Sequence, residues 1–320
     1  MTTILTAIET TGIGRPKRVG PVALYPVYWH GPAALPYDTA ASAFEAGTLT
    51  VEEASSASVP TLLVTNTGTK PVLLTDGEVL EGGWQNRTVV VPVLIQPGEV
   101  GVPVPVACVE AGRWGSGDRG FRHAGQRLPR RIRRTISRTV HADAGDALRR
   151  VDQGGVWACV DALLEERMTD DSTRSLLATR EYLSLDAPVD DFDEIDPRLA
   201  AVDRAVRILR TLRPLPMQTG VIVAIGDRCV SAELFDRPET LAAFWDEILA
   251  SIALDVPKRI DGSRPSVSRA LRFLRRVLRA EIESTPGVGL GTEYRFRSDR
   301  IAAQGLAVDD RLVCLSVLAA

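Results

Sequence analysis

From Val22 to Glu110 the apolar residues fall in short blocks divided by turn chemistry. The blocks Val22 to Tyr28, Leu49 to Glu53, Thr61 to Thr65, Val72 to Leu74, Arg87 to Ile95 and Val102 to Val109 predict strands. Asn66-Thr67-Gly68, Asp76-Gly77 and Pro97-Gly98 predict turns between them. Several strands at such short spacing predict an antiparallel sandwich or a partly open barrel. Pro92, Pro103 and Pro105 carry no N–H, so their strands belong at an edge or carry bulges.

The pattern then changes. Arg113 to Gly155 is rich in Gly and Arg with weak periodicity, which predicts a long excursion with a short helix near Arg130 to Thr139. From Val156 the period is helical, with Val156, Val160, Leu163 and Arg167 on one stripe. Asp196-Pro197 opens a further helix carrying Leu199, Val202, Val206 and Leu209. In the last third, Gly220 to Ile225 and Cys229 to Phe235 flank Gly226-Asp227 as a hairpin. Helices follow from about Pro238 to Ile252 and from about Val267 to Ile282. Strand-like Glu293 to Arg297, Gly305 to Val308 and Leu312 to Leu318 close the chain. The predicted class is α+β: an N-terminal antiparallel β-sandwich-like region (1–112), an Arg-rich excursion and helical region (113–216), and a C-terminal α+β region (217–320).

Composition narrows the function classes. The 320 residues, 45% hydrophobic and 25% charged, are those of a packed globular chain. No apolar run approaches the ~20 residues that span a bilayer, and Met1 to Gly20 lacks the apolar stretch of a signal peptide. A cytoplasmic, non-membrane protein is expected. Cys108, Cys159, Cys229 and Cys314 lack a Cys-x-x-Cys partner and read as buried thiols in a reducing compartment. His30, His123 and His141 show no ligand spacing, so no metal ligand set is assigned, although carboxylates suffice for an oxygen-bound divalent ion. The cofactor is unknown and a homo-oligomer is left open. Net charge is −3, but between Arg113 and Arg150 eleven arginines stand against only Asp118, Asp143 and Asp146. From Glu181 to Asp196 there are seven acids and no Lys or Arg. The stripe Arg269, Arg272, Arg276 and Arg279 is basic, yet overall acidity and the absence of a recognition motif weigh against nucleic acid.

Two polar signatures bracket the apolar segment Thr88 to Ala107. The first runs Glu78-Val79-Leu80-Glu81-Gly82-Gly83-Trp84-Gln85-Asn86-Arg87, and the second Cys108-Val109-Glu110-Ala111-Gly112-Arg113-Trp114. Period-two alternation puts Gln85, Arg87, Val89, Val91 and Val93 on one side of a strand, and Glu110 at the end of the stripe Val102, Val104, Val106, Cys108. A carboxyl so placed needs a cation, with Arg87 and Arg113 the candidates, and could then serve as general acid or base. Glu78 and Glu81 are further acid–base or ion-holding candidates, beside a Gly82-Gly83 pair that permits positive φ. Gln85, Asn86, Arg87, Arg113 and Trp114 are the ligand-binding candidates. The competing reading is a buried Glu–Arg pair that fixes a sheet corner, with Trp84 and Trp114 as core. Cys108 as nucleophile is disfavoured, because its strand face is apolar and no histidine adjoins it. Gly287-Val288-Gly289-Leu290-Gly291 lacks the Lys-Ser/Thr of a P-loop and leads into a strand, so it reads as a flexible turn.

Gly82 to Arg87, Val106 to Trp114 and the later turn into Glu293-Tyr294-Arg295-Phe296 together resemble the ARG and rhodanese-phosphatase-superfamily-associated protein family, over about Val22 to Leu318. Gene neighbourhoods link that family with ADP-ribosylglycohydrolases and phosphatases. The resemblance implies a part in ADP-ribose or NAD-derived nucleotide metabolism, with Gln85, Asn86, Arg87, Cys108, Glu110, Arg113 and Trp114 as signature positions. The resulting expectation is a protein that binds or processes a phosphorylated nucleoside or ADP-ribose-like ligand by hydrolysis or group transfer. The alternative is a non-catalytic interaction module whose signatures stabilise the sheet.

Overall fold

The computed structural model describes residues 3–54, 60–113, 120–142, 149–167, 171–183, 197–257 and 264–320. The chain is α+β, and its sheets are built almost wholly from antiparallel pairs. One sheet carries the first signature. Its spatial order is Phe121–Arg127, Glu78–Gly82, Arg87–Val89, Val102–Cys108, Thr61–Asn66 and Leu49–Glu53. A smaller sheet joins Val93–Ile95, Val72–Leu74 and Asp38–Thr39, the last pair running parallel.

The second large sheet runs Gly12–Ile13, Val22–Tyr28, Gly220–Ile225, Arg228–Phe235, Arg311–Ala319, Ile301–Val308, Thr292–Arg297 and Glu281–Pro286. Val22–Tyr28, from the first stretch of the chain, thus pairs with Gly220–Ile225 from the last. Alternation along its strands gives this sheet two buried faces. Tyr25, Ile222, Leu315, Val317 and Phe296 pack with the helices Thr3–Thr10 and Val267–Leu274. Leu24, Val221, Val223, Phe235, Leu306 and Cys314 share a core with the signature-bearing sheet and the helices Gln153–Arg167 and Pro238–Asp255. Helix Arg130–Thr139 is wedged into that interior and contacts Ile301–Val308 and Arg311–Ala319.

Four expectations need correction. Arg87 to Ile95 is two strands, because Pro92 cannot continue a ladder: Arg87–Val89 pairs with Val102–Cys108, while Val93–Ile95 turns into the smaller sheet. The side alternation through Val91 and Val93 is lost there. Phe121–Arg127 is a strand rather than part of an excursion. The helix at Val267 ends at Leu274 and gives way to a 3₁₀ turn, Arg275–Arg279, so Ile282 lies on an edge strand. The Gly287–Gly291 turn is a docking point, since Leu290 N–H donates to Leu94 O at 2.8 Å and a Cβ on Gly289 would meet that oxygen at 2.2 Å. The proline reasoning holds half by half. Val102 to Pro105 register with Thr61 to Val64 and Val106 to Cys108 with Arg87 to Val89, and the second ladder stops at Pro105, whose carbonyl accepts from Val90 N–H at 3.3 Å but which has no N–H to return.

Candidate functional site

The two signatures meet. Gln85 Nε2 donates to Glu110 O at 2.9 Å, and the Asn86 backbone N–H donates to Glu110 Oε2 at 2.9 Å. Arg113 closes the corner: its Nη2 donates to Glu110 Oε2 at 2.8 Å and to Asn86 Oδ1 at 3.2 Å, and its Nη1 donates to Gly83 O at 2.7 Å. Arg113 is therefore the cation of Glu110. Arg87 pairs instead with Glu53, Nη2 to Oε1 at 3.3 Å, and donates to Gln85 O at 2.9 Å. Gly83 sits at φ +52°, and a Cβ there would meet the Phe121 ring at 2.2 Å and Glu53 Oε1 at 2.8 Å, which explains the glycine pair. Gln153, the first residue of its helix, clamps the strand end by accepting from Cys108 N–H and donating to Cys108 O.

Bound this way, Gln85, Asn86, Arg87 and Glu110 are buried, and most of their polar atoms are taken up inside the corner, by one another and by Glu53, Gly82, Arg113 and Ser175. Burial pushes the Cys108 thiol up to about 11, against the pull of Arg87, so it stays protonated near neutrality. Glu81 stands apart, paired with Arg122 at 2.7 Å and Arg180 at 2.8 Å. Burial works to raise its pKa, but the hydrogen bonds from those two arginines outweigh it and lower the value. Trp114, and the acidic run from Asp186 to Asp196, lie outside the described residues.

Glu78 belongs to a different cluster. Its strand pairs with Phe121–Arg127, and the register puts Glu78, Leu80, His123 and Arg127 on one face, toward helix Pro238–Asp255. Glu247 projects from that helix, and a ligand atom from each of Glu78, His123 and Glu247 lies within 4.8 Å of the others. Glu78 Oε2 accepts from Thr75 N–H, and Oε1 is 3.3 Å from His123 Nε2. His123 Nε2 is 3.6 Å from Glu247 Oε1, while Glu247 Oε2 is buried without a partner. Phe44 covers the imidazole at 6.4 Å between ring centroids.

The Gly125 N–H donates to His123 Nδ1 at 3.2 Å, which leaves the ring hydrogen on Nε2, aimed at the carboxylates. Burial works against the imidazolium, yet Glu78 and Glu247 together raise the His123 pKa. Burial also pushes the Glu247 carboxyl up to about 7, against the pull of His123. The trio thus holds a transferable proton near neutral pH. In the folded state Glu247 keeps a proton that the unfolded chain releases near 4.5, so stability falls as pH rises from about 4.5 to about 7. His123 contributes with the same sign, its stabilisation being lost as pH rises through its raised pKa. We expect Glu247→Gln to flatten this slope and to be the more stable protein at pH 8, by roughly 3 kcal/mol. Urea titrations at pH 5 and pH 8 measure it, and an unchanged slope would contradict a protonated Glu247.

Beside the trio runs a buried ion network. Arg133 Nη2 donates to Asp76 Oδ2 at 2.9 Å, and its Nη1 donates to Glu233 Oε1 at 2.5 Å. Arg127 donates to Thr75 Oγ1 at 2.7 Å and reaches Glu233 Oε2 at 3.4 Å. Sequence reading passes over Glu53, Asp76, Arg127, Arg133, Glu233 and Glu247. Glu247 does leave a trace, as a carboxylate inside the apolar face formed by Leu241, Phe244 and Ile248.

A family model described as the ARG and Rhodanese-Phosphatase-superfamily-associated Protein domain matches residues 10–318. The chain belongs to that family. No curated protein and no solved structure matches it. The family match spans both large sheets and takes in the corner of the two signatures and the Glu78, His123, Glu247 trio alike. Among the described residues, no helix of this family member is long and apolar enough to cross a membrane.

Proposed function

We propose that this member of the family processes a phosphorylated nucleoside or ADP-ribose-like ligand by hydrolysis or group transfer, with proton transfer carried out by Glu78, His123 and Glu247. The observation that carries this reading is the convergence of those three side chains within 4.8 Å, with a buried, unpartnered oxygen on Glu247. An acid and a base poised near neutrality are what such a reaction needs. Glu110 and Glu81, each held by arginine, serve in this reading as framework. The same donors could hold a divalent cation, but the Gly125 N–H on His123 Nδ1 favours a proton on Nε2 and thus acid–base work. The ligand class follows from the family's association with ADP-ribosylglycohydrolases and phosphatases alone.

The satisfied corner supports a second reading, in which the signatures only brace the sheet of an interaction module. One experiment separates the two. Purified protein is screened by thermal shift against ADP-ribose, NAD, nucleotides and sugar phosphates, with and without Mg²⁺ or Mn²⁺, and products are analysed for every hit. A ligand at a hundred times its Kd adds about 2.7 kcal/mol. We expect His123→Asn to keep that shift and to lose turnover by ~10²-fold or more. Absence of both shift and product across the set would reject the enzyme reading in favour of the module.

A further inference from the structure

Helix Val267–Leu274 and the 3₁₀ turn Arg275–Arg279 bury Ala270, Phe273, Leu274 and Val277 against the second large sheet. The opposite side carries Arg269, Arg272, Arg276 and Arg279, spaced three, four and three residues apart, so they share one stripe. Arg275 flanks the stripe, and Arg300 joins it from the turn between Thr292–Arg297 and Ile301–Val308. These six arginines, with Leu278, line a hollow of about 510 Å³. A second hollow of about 380 Å³ shares Arg269, Arg276 and Arg300, and a third of about 510 Å³ shares Arg279 and adds Arg138 and Arg297. The first hollow is thus a cationic trough, while the two beside it also take in Asp227, Glu281 and Asp299.

None of the six forms an ion pair with a carboxylate among the described residues. Arg272 reaches only Ser268 O, Arg275 only Glu9 O, and Arg276 lies over the Phe273 ring at 5.7 Å. Elsewhere in the chain the strongly buried arginines 87, 127, 133 and 295 all have carboxylate partners. Six like charges held together on a chain of net charge −3 repel one another, and the nearest acids, Asp227, Glu281 and Asp299, line the adjoining hollows without forming an ion pair with any of the six.

We infer that the trough binds the phosphate backbone of a single-stranded nucleic acid. The ten residue steps from Arg269 to Arg279, at ~1.5 to 2 Å of rise each, make a stripe ~15 to 20 Å long with a cation every ~5 to 6 Å. A lone nucleotide or sugar phosphate occupies only a fraction of that length, whereas a run of nucleotides presents a phosphate at each step. Guanidinium forks match phosphate oxygens. Phe273 is buried and the lining offers no exposed aromatic ring, so bases are not stacked and sequence is not read. Net acidity does not oppose this inference, because it averages over faces.

The test is fluorescence anisotropy with labelled random-sequence RNA and DNA of ~20 nucleotides, using the full chain at 50 and 200 mM salt. With four to six phosphates neutralised, the slope of log K against log salt should be about −3 to −4. Replacing the exposed Arg269, Arg272 and Arg279 by Gln should flatten that slope by about 2 and weaken binding at 50 mM salt by ~10-fold or more. Arg213→Gln, at an exposed pair with Asp246 elsewhere, should change nothing. Thermal melts of each variant confirm folding. Absence of binding at 50 mM salt, equal binding by the triple variant, or a preference for inorganic polyphosphate, duplex or anionic vesicles over the single strand would each overturn the inference.

Discussion

Arg133→Met is expected to cost roughly 3 to 5 kcal/mol, a large share of the ~5 to 15 kcal/mol that holds a typical domain folded. Arg133 leaves helix Arg130–Thr139 and enters the core, where it donates to Asp76 at 2.9 and 3.2 Å, to Glu233 at 2.5 Å and to Ser316 Oγ. Those partners belong to different layers. Asp76 is in the turn before the Glu78–Gly82 strand, whereas Glu233 and Ser316 are a registered pair in the second large sheet. A methionine fills similar volume but leaves two buried carboxylates with only Arg127, at 3.7 Å from Asp76 and 3.4 Å from Glu233. Breaking one side of a buried ion network is more damaging than replacing it whole. The double change Arg133→Met with Glu233→Gln should therefore recover part of the loss. Denaturant midpoints of the three proteins measure both effects, and a loss below ~1 kcal/mol would mean that the network is solvated in solution.

Local patterns and distant partners divide what the sequence reveals. Leu49–Glu53 and Val72–Leu74 are legible to the residue, because alternation or an apolar block between turns is a local property. So is helix Arg130–Thr139, despite its five arginines, from Ile132 and Ile136 at helical spacing. Phe121–Arg127 is not legible: its middle residues are polar or small, and it is held by its neighbour through pairs such as Arg122 with Glu81. Glu281–Pro286 has no apolar face and exists as a strand only through its pairing with Thr292–Arg297. The same division applies to the site. The glycine pair, Gln85, Asn86 and Glu110 announce a polar corner within one short stretch, whereas Asp76, Arg133 and Glu233, or Glu78, His123 and Glu247, come from segments with no common spacing. Burial makes them a cluster, and burial of a charged side chain is not written in its neighbours.

Arg87→Met should also cost roughly 3 to 5 kcal/mol, and its consequences test how the signature corner is wired. The guanidinium is fully buried and faces Glu53, itself fully buried, at 3.3 Å. Without it, Glu53 retains only the Trp84 N–H at 3.1 Å on Oε1, and Oε2 has no partner. Glu53→Gln in the same chain should restore part of the stability, because the stranded charge is then gone, and the cycle of single and double variants gives the coupling between the two residues. Cys108 supplies a second, independent readout. Burial raises its pKa and Arg87 opposes that effect, so Arg87→Met should raise the thiol pKa further and slow its alkylation at pH 8 under native conditions. A purely steric role for Arg87 predicts the stability loss without rescue by Glu53→Gln. It also predicts faster alkylation, as a loosened corner exposes the thiol. Opposite signs in the alkylation rate thus separate an electrostatic brace from a space-filling one.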